Sequence, residues 1–431
     1  MSLEIITLLV LLGMFIVGSV ISVNMGVLGM VAAFVVGTYV SGLEVADVFA
    51  SFPVQMFILL AGVTYLFAIA LNNGTLDMII NAGLKLVKGN VGLLPWVLFS
   101  LAALLSAVGA STVAIAPILF PIAMRLAHKH KINPILMGTL ISTGMYAGSF
   151  SPLNIFGLVV SGVMEAQNIA YSPILLLVNC FIFYVLISIV VFIAFGGIKL
   201  IKLHKQGVIG GLGVAATVES LEGKNAAVPT TADNNPTWYK IVTLLGIGLL
   251  ITLALVYEMD MGFGALMIGL VLSLIRPKDQ AQVIKQMPWG VMLMICGIMT
   301  YVGVMDKVGT MDYMTNQIAS VGSPTIATLI AAYVGGIISA FASTTGFLTA
   351  VIPLAAPILQ DPMMSSIGVL STLAIAASVV DISPFSTNGA LIMANVQGVD
   401  ERSFFKKLIL IAGLFIAFGP GLAWLIFTVI L

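Results

Sequence analysis

Apolar runs of near-membrane length fill almost the whole chain, separated by short polar or glycine-containing turns. A helix needs ~20 mostly apolar residues to cross a bilayer. Runs at 3–22, 26–41, 54–71, 172–198, 238–257, 262–276, 288–305 and 404–430 approach that requirement. Two others, 133–165 and 363–397, are too long for one plain helix. They are broken in the middle by GSFSPLN (148–154) and DISPFSTNG (381–389). Segments 75–88 and 308–321 mix apolar and charged positions and predict helices lying at the membrane surface. The pattern predicts an all-α polytopic membrane protein with broken helices at mid-membrane.

Two stretches are built differently. SAVGASTVAIAPILFP (106–121) and SAFASTTGFLTAVIPLAAP (339–357) each hold an apolar arm, a break of small residues rich in Ser and Thr, and a second apolar arm with prolines four apart. The arms, at 92–108 with 112–127 and at 324–341 with 345–359, are each too short to cross alone. They predict re-entrant helical hairpins over 92–127 and 324–359. The two halves also match in order. NMG (24–26) matches DMG (260–262), Pro53 matches Pro288, Gly62 matches Gly297 and Gly74 matches Gly309. Ser106 matches Ser339, Pro117 and Pro121 match Pro353 and Pro357, and Ser151-Pro152 matches Ser383-Pro384. An ordered series at nearly constant offset predicts an internal duplication. The first repeat covers 1–198 and the second 238–431. Residues 199–237, with their glycines and PTTADNNP (229–236), predict a flexible cytoplasmic linker. Each repeat has five crossings plus one hairpin. Five is odd, so the repeats are inverted.

Charge orients this arrangement. Of the seventeen Lys and Arg residues, all but Lys307 fall on one predicted side. That side is cytoplasmic by the positive-inside rule. Both termini then lie outside the cell (inner) membrane, the first hairpin enters from the cytoplasm and the second from outside. Charged residues make up 8% of the chain, against ~25% in soluble domains. With zero net charge there is no basis for nucleic-acid binding. Cys180 and Cys296 sit inside apolar runs and read as small packed hydrophobes, and the three histidines lack metal-ligand spacing. The N-terminus has no basic lead-in or small-residue cleavage site, so 3–21 reads as a retained span.

A helix broken at mid-depth must line a protein-enclosed cavity, because lipid satisfies no backbone group. Four breaks are predicted: Gly109–Thr112, Ser149–Asn154, Ala342–Gly346 and Asp381–Gly389. At each, a half-helix begins and presents N–H groups with partial positive charge. Unwound carbonyls and Ser, Thr and Asn oxygens suit hard cations. No Lys or Arg is predicted in the interior, so an anion would be held by helix starts, hydroxyls and co-bound cations. Asp381 is the one acid predicted deep in the membrane. It reads as a sodium ligand, a proton carrier or a helix cap.

At these motifs the chain resembles a known family. SAFASTT (339–345) resembles the Ser-x-x-x-Ser-Asn-Thr hairpin signature of the divalent anion–sodium symporters, in the ion transporter superfamily, and SAVGAST (106–112) is a looser match. GSFSPLN and DISPFSTN resemble that family's unwound helices, and the N-terminal region is similar to that of MatC-type dicarboxylate (malonate) carriers. The resemblance implies a homodimer working by an elevator movement, with sodium and substrate carboxylates bound at hairpin tips and unwound helices. Matched by position, Ser106, Thr112, Ser339, Ser343 and Thr345 fit the signature. Ala110 stands at its first tip Ser, and Ser111 and Thr344 stand at its Asn. The expected substrate contacts are Ser111, Thr112, Asn154, Thr344, Thr345, Ser386, Thr387 and Asn388. The expected ion-binding or coupling residues are Ser106, Gly109, Ser151, Ser339, Ser343, Asp381 and Ser383, with Na+ or H+ as coupling ion and no other cofactor. The reading is a secondary active transporter for a small di- or tricarboxylate such as malonate, malate or succinate. The alternative is the large membrane subunit of a tripartite, binding-protein-dependent carboxylate transporter. An intramembrane enzyme is a remote alternative, since no deep His and only one deep acid are predicted.

Overall fold

Helix follows helix in a computed structural model that describes residues 2–21, 23–85, 90–205, 236–257, 259–320, 323–341, 344–384 and 386–430. No strand occurs among them. The first half runs through α1 (Leu3–Val20), α2 (Met25–Phe34, continued by a π-helical stretch, Val35–Val40), α3 (Val45–Ala50), α4 (Val54–Asn72) and α5 (Thr75–Lys85). It continues with α6 (Leu94–Ala107), α7 (Thr112–Lys129), α8 (Pro134–Ser149), α9 (Ile155–Ala166), α10 (Pro173–Ala194) and α11 (Gly197–Lys205). The second half holds α12 (Thr237–Tyr257), α13 (Met261–Ile275), α14 (Gln280–Gln286), α15 (Trp289–Lys307), α16 (Thr310–Ser320) and α17 (Pro324–Phe341). It ends with α18 (Thr344–Leu354), α19 (Ala356–Leu359), α20 (Ser366–Ser378), α21 (Thr387–Asn395) and α22 (Glu401–Trp424, continued by a π-helical stretch, Leu425–Ile430).

Local chemistry sets these boundaries. Asn24 caps α2 by accepting from the Gly26 N–H, and its repeat partner Asp260 caps α13 by accepting from the Phe263 N–H. Pro134 and Pro173 open α8 and α10, where a missing N–H costs nothing. Pro117 and Pro121 are carried inside α7. The second proline arm differs from expectation: it turns at Ala355 and restarts as α19, with Pro357 in its first turn. α11 carries the chain in helix to Lys205, into the first residues of the segment 199–237 expected as a linker. Residues 206–235 of that linker lie outside the described residues.

The two halves interlock reciprocally. α2 packs on α15, and α13 and α4, which match them in the sequence alignment of the two halves, pack on each other. The same exchange relates α1 on α16 to α12 on α5, and α7 on α21 to α18 on α9. The contacts are close at glycines. A Cβ on Gly297 would meet the Gly26 carbonyl oxygen at 2.0 Å, and one on Gly62 would meet the Gly262 oxygen at 2.0 Å. Gly26 matches Gly262 in sequence, and Gly62 matches Gly297. Small residues let helix backbones approach closely in a membrane, where packing is one of the forces that hold helices together.

The outer surface is apolar. α10 turns Ile174, Val178, Phe181, Leu186, Val190 and Ile193 outward, and α13 turns Phe263, Met267, Leu270 and Leu274 outward. Continuous apolar exposure of this kind is covered by lipid rather than water. Among the described residues, Val54–Asn72, Thr112–Lys129, Pro173–Ala194, Trp289–Lys307 and Glu401–Ile430 are long and apolar enough to cross a membrane. Met261–Ile275 joins them if counted with Pro277–Gln286, from which it is bent by 110°. Stretches such as Leu3–Gly18, Met25–Val40 and Thr237–Leu253 are shorter. One expectation is corrected: the second arm of the first hairpin is not too short to cross. α7 continues past 127 to Lys129 and reaches 18 residues, whereas α6 has 14.

Candidate functional site

Four helices begin around one cavity of about 330 Å³. Ser111 caps α7, its hydroxyl accepting from the Ala114 N–H at 3.3 Å. Asn154 caps α9, accepting from the Phe156 N–H at 3.4 Å. Ser386 caps α21, accepting from the Gly389 N–H at 3.2 Å. α18 brings its first residues, Thr344 and Thr345. All of these, together with Thr112, Thr387 and Asn388, line the cavity. Each of the eight residues expected to meet substrate is therefore in its wall.

The breaks are held open by specific contacts. At the first, Gly109 adopts φ +114°, a left-handed conformation that L side chains avoid, so only glycine turns the chain there without strain. The Asn154 amide then donates to the Ser106 carbonyl at 2.9 Å, to the Ser106 hydroxyl at 3.2 Å and to the Ala110 carbonyl at 3.0 Å. Ser151 donates to the Ala107 carbonyl at 2.5 Å, and Ser106 and Ser149 hydroxyls meet at 3.0 Å. An amide N–H thus points at carbonyls that a cation would otherwise use. At the second tip, Ser339 donates to the Ala377 carbonyl at 2.5 Å and lies 3.1 Å from the Thr344 hydroxyl.

The residues expected to handle the ion separate accordingly. Asp381 lines the cavity. Ser106, Ser151, Ser339 and Ser383 are buried behind the tips and breaks. Gly109 faces a second, smaller cavity of about 40 Å³ with Thr64, Phe67, Gln286 and Pro288. Ser343, with Ala342, lies outside the described residues. Asp381 does not cap α21, since Ser386 does. Its Oδ2 instead accepts from the Thr344 hydroxyl at 2.8 Å and from the Tyr146 hydroxyl at 2.5 Å. The two breaks are consequently unlike: the position of Asp381 is taken in the first half by Ser149, whose hydroxyl returns to the Met145 carbonyl.

Sequence reasoning missed Tyr146, Phe156, Val113, Ile155 and Val291, which complete the wall. Tyr146 sits within an apolar span and carries no local sign of facing a cavity. Its ring is stacked on Phe156, 6.1 Å between centroids and 4° between planes. Among the described residues, no Lys, Arg or His lines the cavity. Among the described residues, no three His, Cys, Asp or Glu side chains gather into a metal-binding group.

A helical fold with an apolar surface, around a polar cavity ringed by helix starts, is that of a multi-pass membrane protein. Residues 1–149 match the family described as dicarboxylate carrier protein MatC N-terminus. The match spans α1 to α8, including the break at Gly109–Thr112 and Tyr146, and supports the similarity to MatC-type dicarboxylate carriers. No curated protein matches the chain.

Proposed function

We propose that this chain is a secondary active transporter that carries a small di- or tricarboxylate such as malonate, malate or succinate, coupled to Na+ or H+. The observation that carries this reading is the convergence of four helix starts on one cavity that no basic side chain among the described residues lines. Each helix N-terminus presents roughly half a positive charge, so four offset about two negative charges. A dicarboxylate brings two, and an ionised Asp381 adds a third. One monovalent cation beside Asp381 closes the difference, and a cation that must bind with the anion is coupled to it. The cavity has the size of a small-molecule site.

The matched motifs and the reciprocal packing support two inverted repeats, and the matched Ser/Thr tips with the 14-residue length of α6 support re-entrant hairpins. A homodimer and an elevator movement follow from the resemblance to anion symporters. The charge pattern supports an inner-membrane protein with both termini outside.

The test is uptake of radiolabelled malonate, malate and succinate into proteoliposomes containing this chain alone, with sodium and pH gradients imposed separately. Gradient-driven uptake of at least one is expected. Asp381→Asn should reduce the stimulation by the gradient about 10-fold or more, within the range of allosteric couplings. Unchanged ion dependence in Asp381→Asn removes the coupling role. Absence of uptake by the chain alone favours a system that needs a binding protein and a second membrane subunit.

A further inference from the structure

Tyr146 joins two groups that the proposed function keeps apart. Its hydroxyl donates to Asp381 Oδ2 at 2.5 Å, on the ion side. The same oxygen accepts from Asn388 Nδ2 at 3.1 Å, on the substrate side. Both partners belong to the second half, while Tyr146 belongs to α8 of the first half. The stack on Phe156 and a second ring contact with Tyr184, 6.0 Å between centroids, hold the phenol in place. Tyr146 is almost fully buried, yet it reaches the cavity wall.

We infer that Tyr146 is the positioning residue through which the coupling cation at Asp381 controls the Asn388 amide offered to substrate. This inference rests on the carrier reading. A phenol has one O–H. While Asp381 is ionised, the charged acceptor draws that O–H into a strong hydrogen bond. Hydrogen bonds in a chain polarise one another, so the phenol oxygen becomes a better acceptor and holds the Asn388 N–H. A cation at Asp381 weakens the first bond and therefore the second. The Asn388 amide is then released to donate to a carboxylate at the start of α21. Cation binding raises anion affinity by this route as well as by direct attraction. The titratable groups facing Asp381 are Tyr146 from α8 and Tyr184 from α10; α18, α20 and α21 bring none. The charged residues Arg125, His128 and Lys129 lie in the last turns of α7, ~20 Å along the helix from its start at the cavity.

The experiment measures succinate and malonate affinity of the full chain in proteoliposomes, once across sodium concentrations at fixed pH and once across pH at fixed sodium. In Tyr146→Phe the ring stack is kept and the link is cut. Affinity without the coupling cation should rise, so that the fold-stimulation by the cation falls ~3-fold or more, a part of the usual coupling range. Asn388→Ala should also reduce the stimulation, and the double variant should add little further. Stimulation equal to the parent's, affinity lost equally at every cation concentration, or additive effects in the double variant each overturn the inference. A parent chain with no cation-stimulated binding overturns the cation-coupled reading on which the inference rests.

Discussion

A serine carbonyl oxygen stands 1.9 Å from where a Cβ on Gly157 would lie, and the matching carbonyl of Ser383 stands 1.9 Å from a Cβ on Gly389. Each broken helix folds its unwound segment back over the first turn of the helix that follows. The cavity polar groups at Asn154 and Ser386 are set by that closure. Gly157→Ala and Gly389→Ala must push a carbonyl aside, costing roughly 1–3 kcal/mol each as overpacking does. Thermal unfolding of the purified variants should show both melting below the parent. Parent-like melting would mean that the breaks open freely. Residue identity made the polar wall readable in advance, because Ser, Thr and Asn interrupting an apolar run are conspicuous. The partners of Asp381 were not readable. Tyr146 lies 235 residues away in sequence, and an aromatic within a span reads equally well as packing.

At the scale of elements, the long helices and the breaks before α7, α9 and α21 were visible because apolar length and its interruption are local properties. The short helices α3 and α14 were not predicted. Each has only six or seven residues, too few for a periodicity to register. Both precede a proline, Pro53 or Pro288, that starts the next long helix. The glycine crossings could be listed from the sequence as repeat partners, but not as contacts between opposite halves. They yield a paired prediction. Gly297→Ala and Gly62→Ala place a methyl on a carbonyl oxygen, and should lower the melting temperature and the yield of folded protein. Gly13→Ala and Gly413→Ala, with no atom within 4 Å of the added carbon, should be neutral or stabilise by up to about 1 kcal/mol through helix propensity. Equal effects at all four positions would contradict the close crossing.

For the whole molecule, charge asymmetry predicts an orientation that single-cysteine labelling checks. Lys307 holds Asp47 at 3.2 Å on the predicted outer side, and Lys278 is exposed on the predicted inner side. The native thiols of Cys180 and Cys296 are buried, so background labelling should be low. A membrane-impermeant maleimide should modify Lys307→Cys in intact cells and Lys278→Cys only after permeabilisation. Labelling of both in intact cells would reject the ten-crossing arrangement. The reciprocal glycine crossings also bear on synthesis. The Gly26 surface of α2 finds its partner only after roughly 270 more residues are made, tens of seconds at translation rates of 5–20 residues per second. Until then the nascent first half waits in the bilayer with its seam unfilled. Such a chain should depend on the insertion machinery to shelter that seam, and two separately expressed halves should be able to find each other.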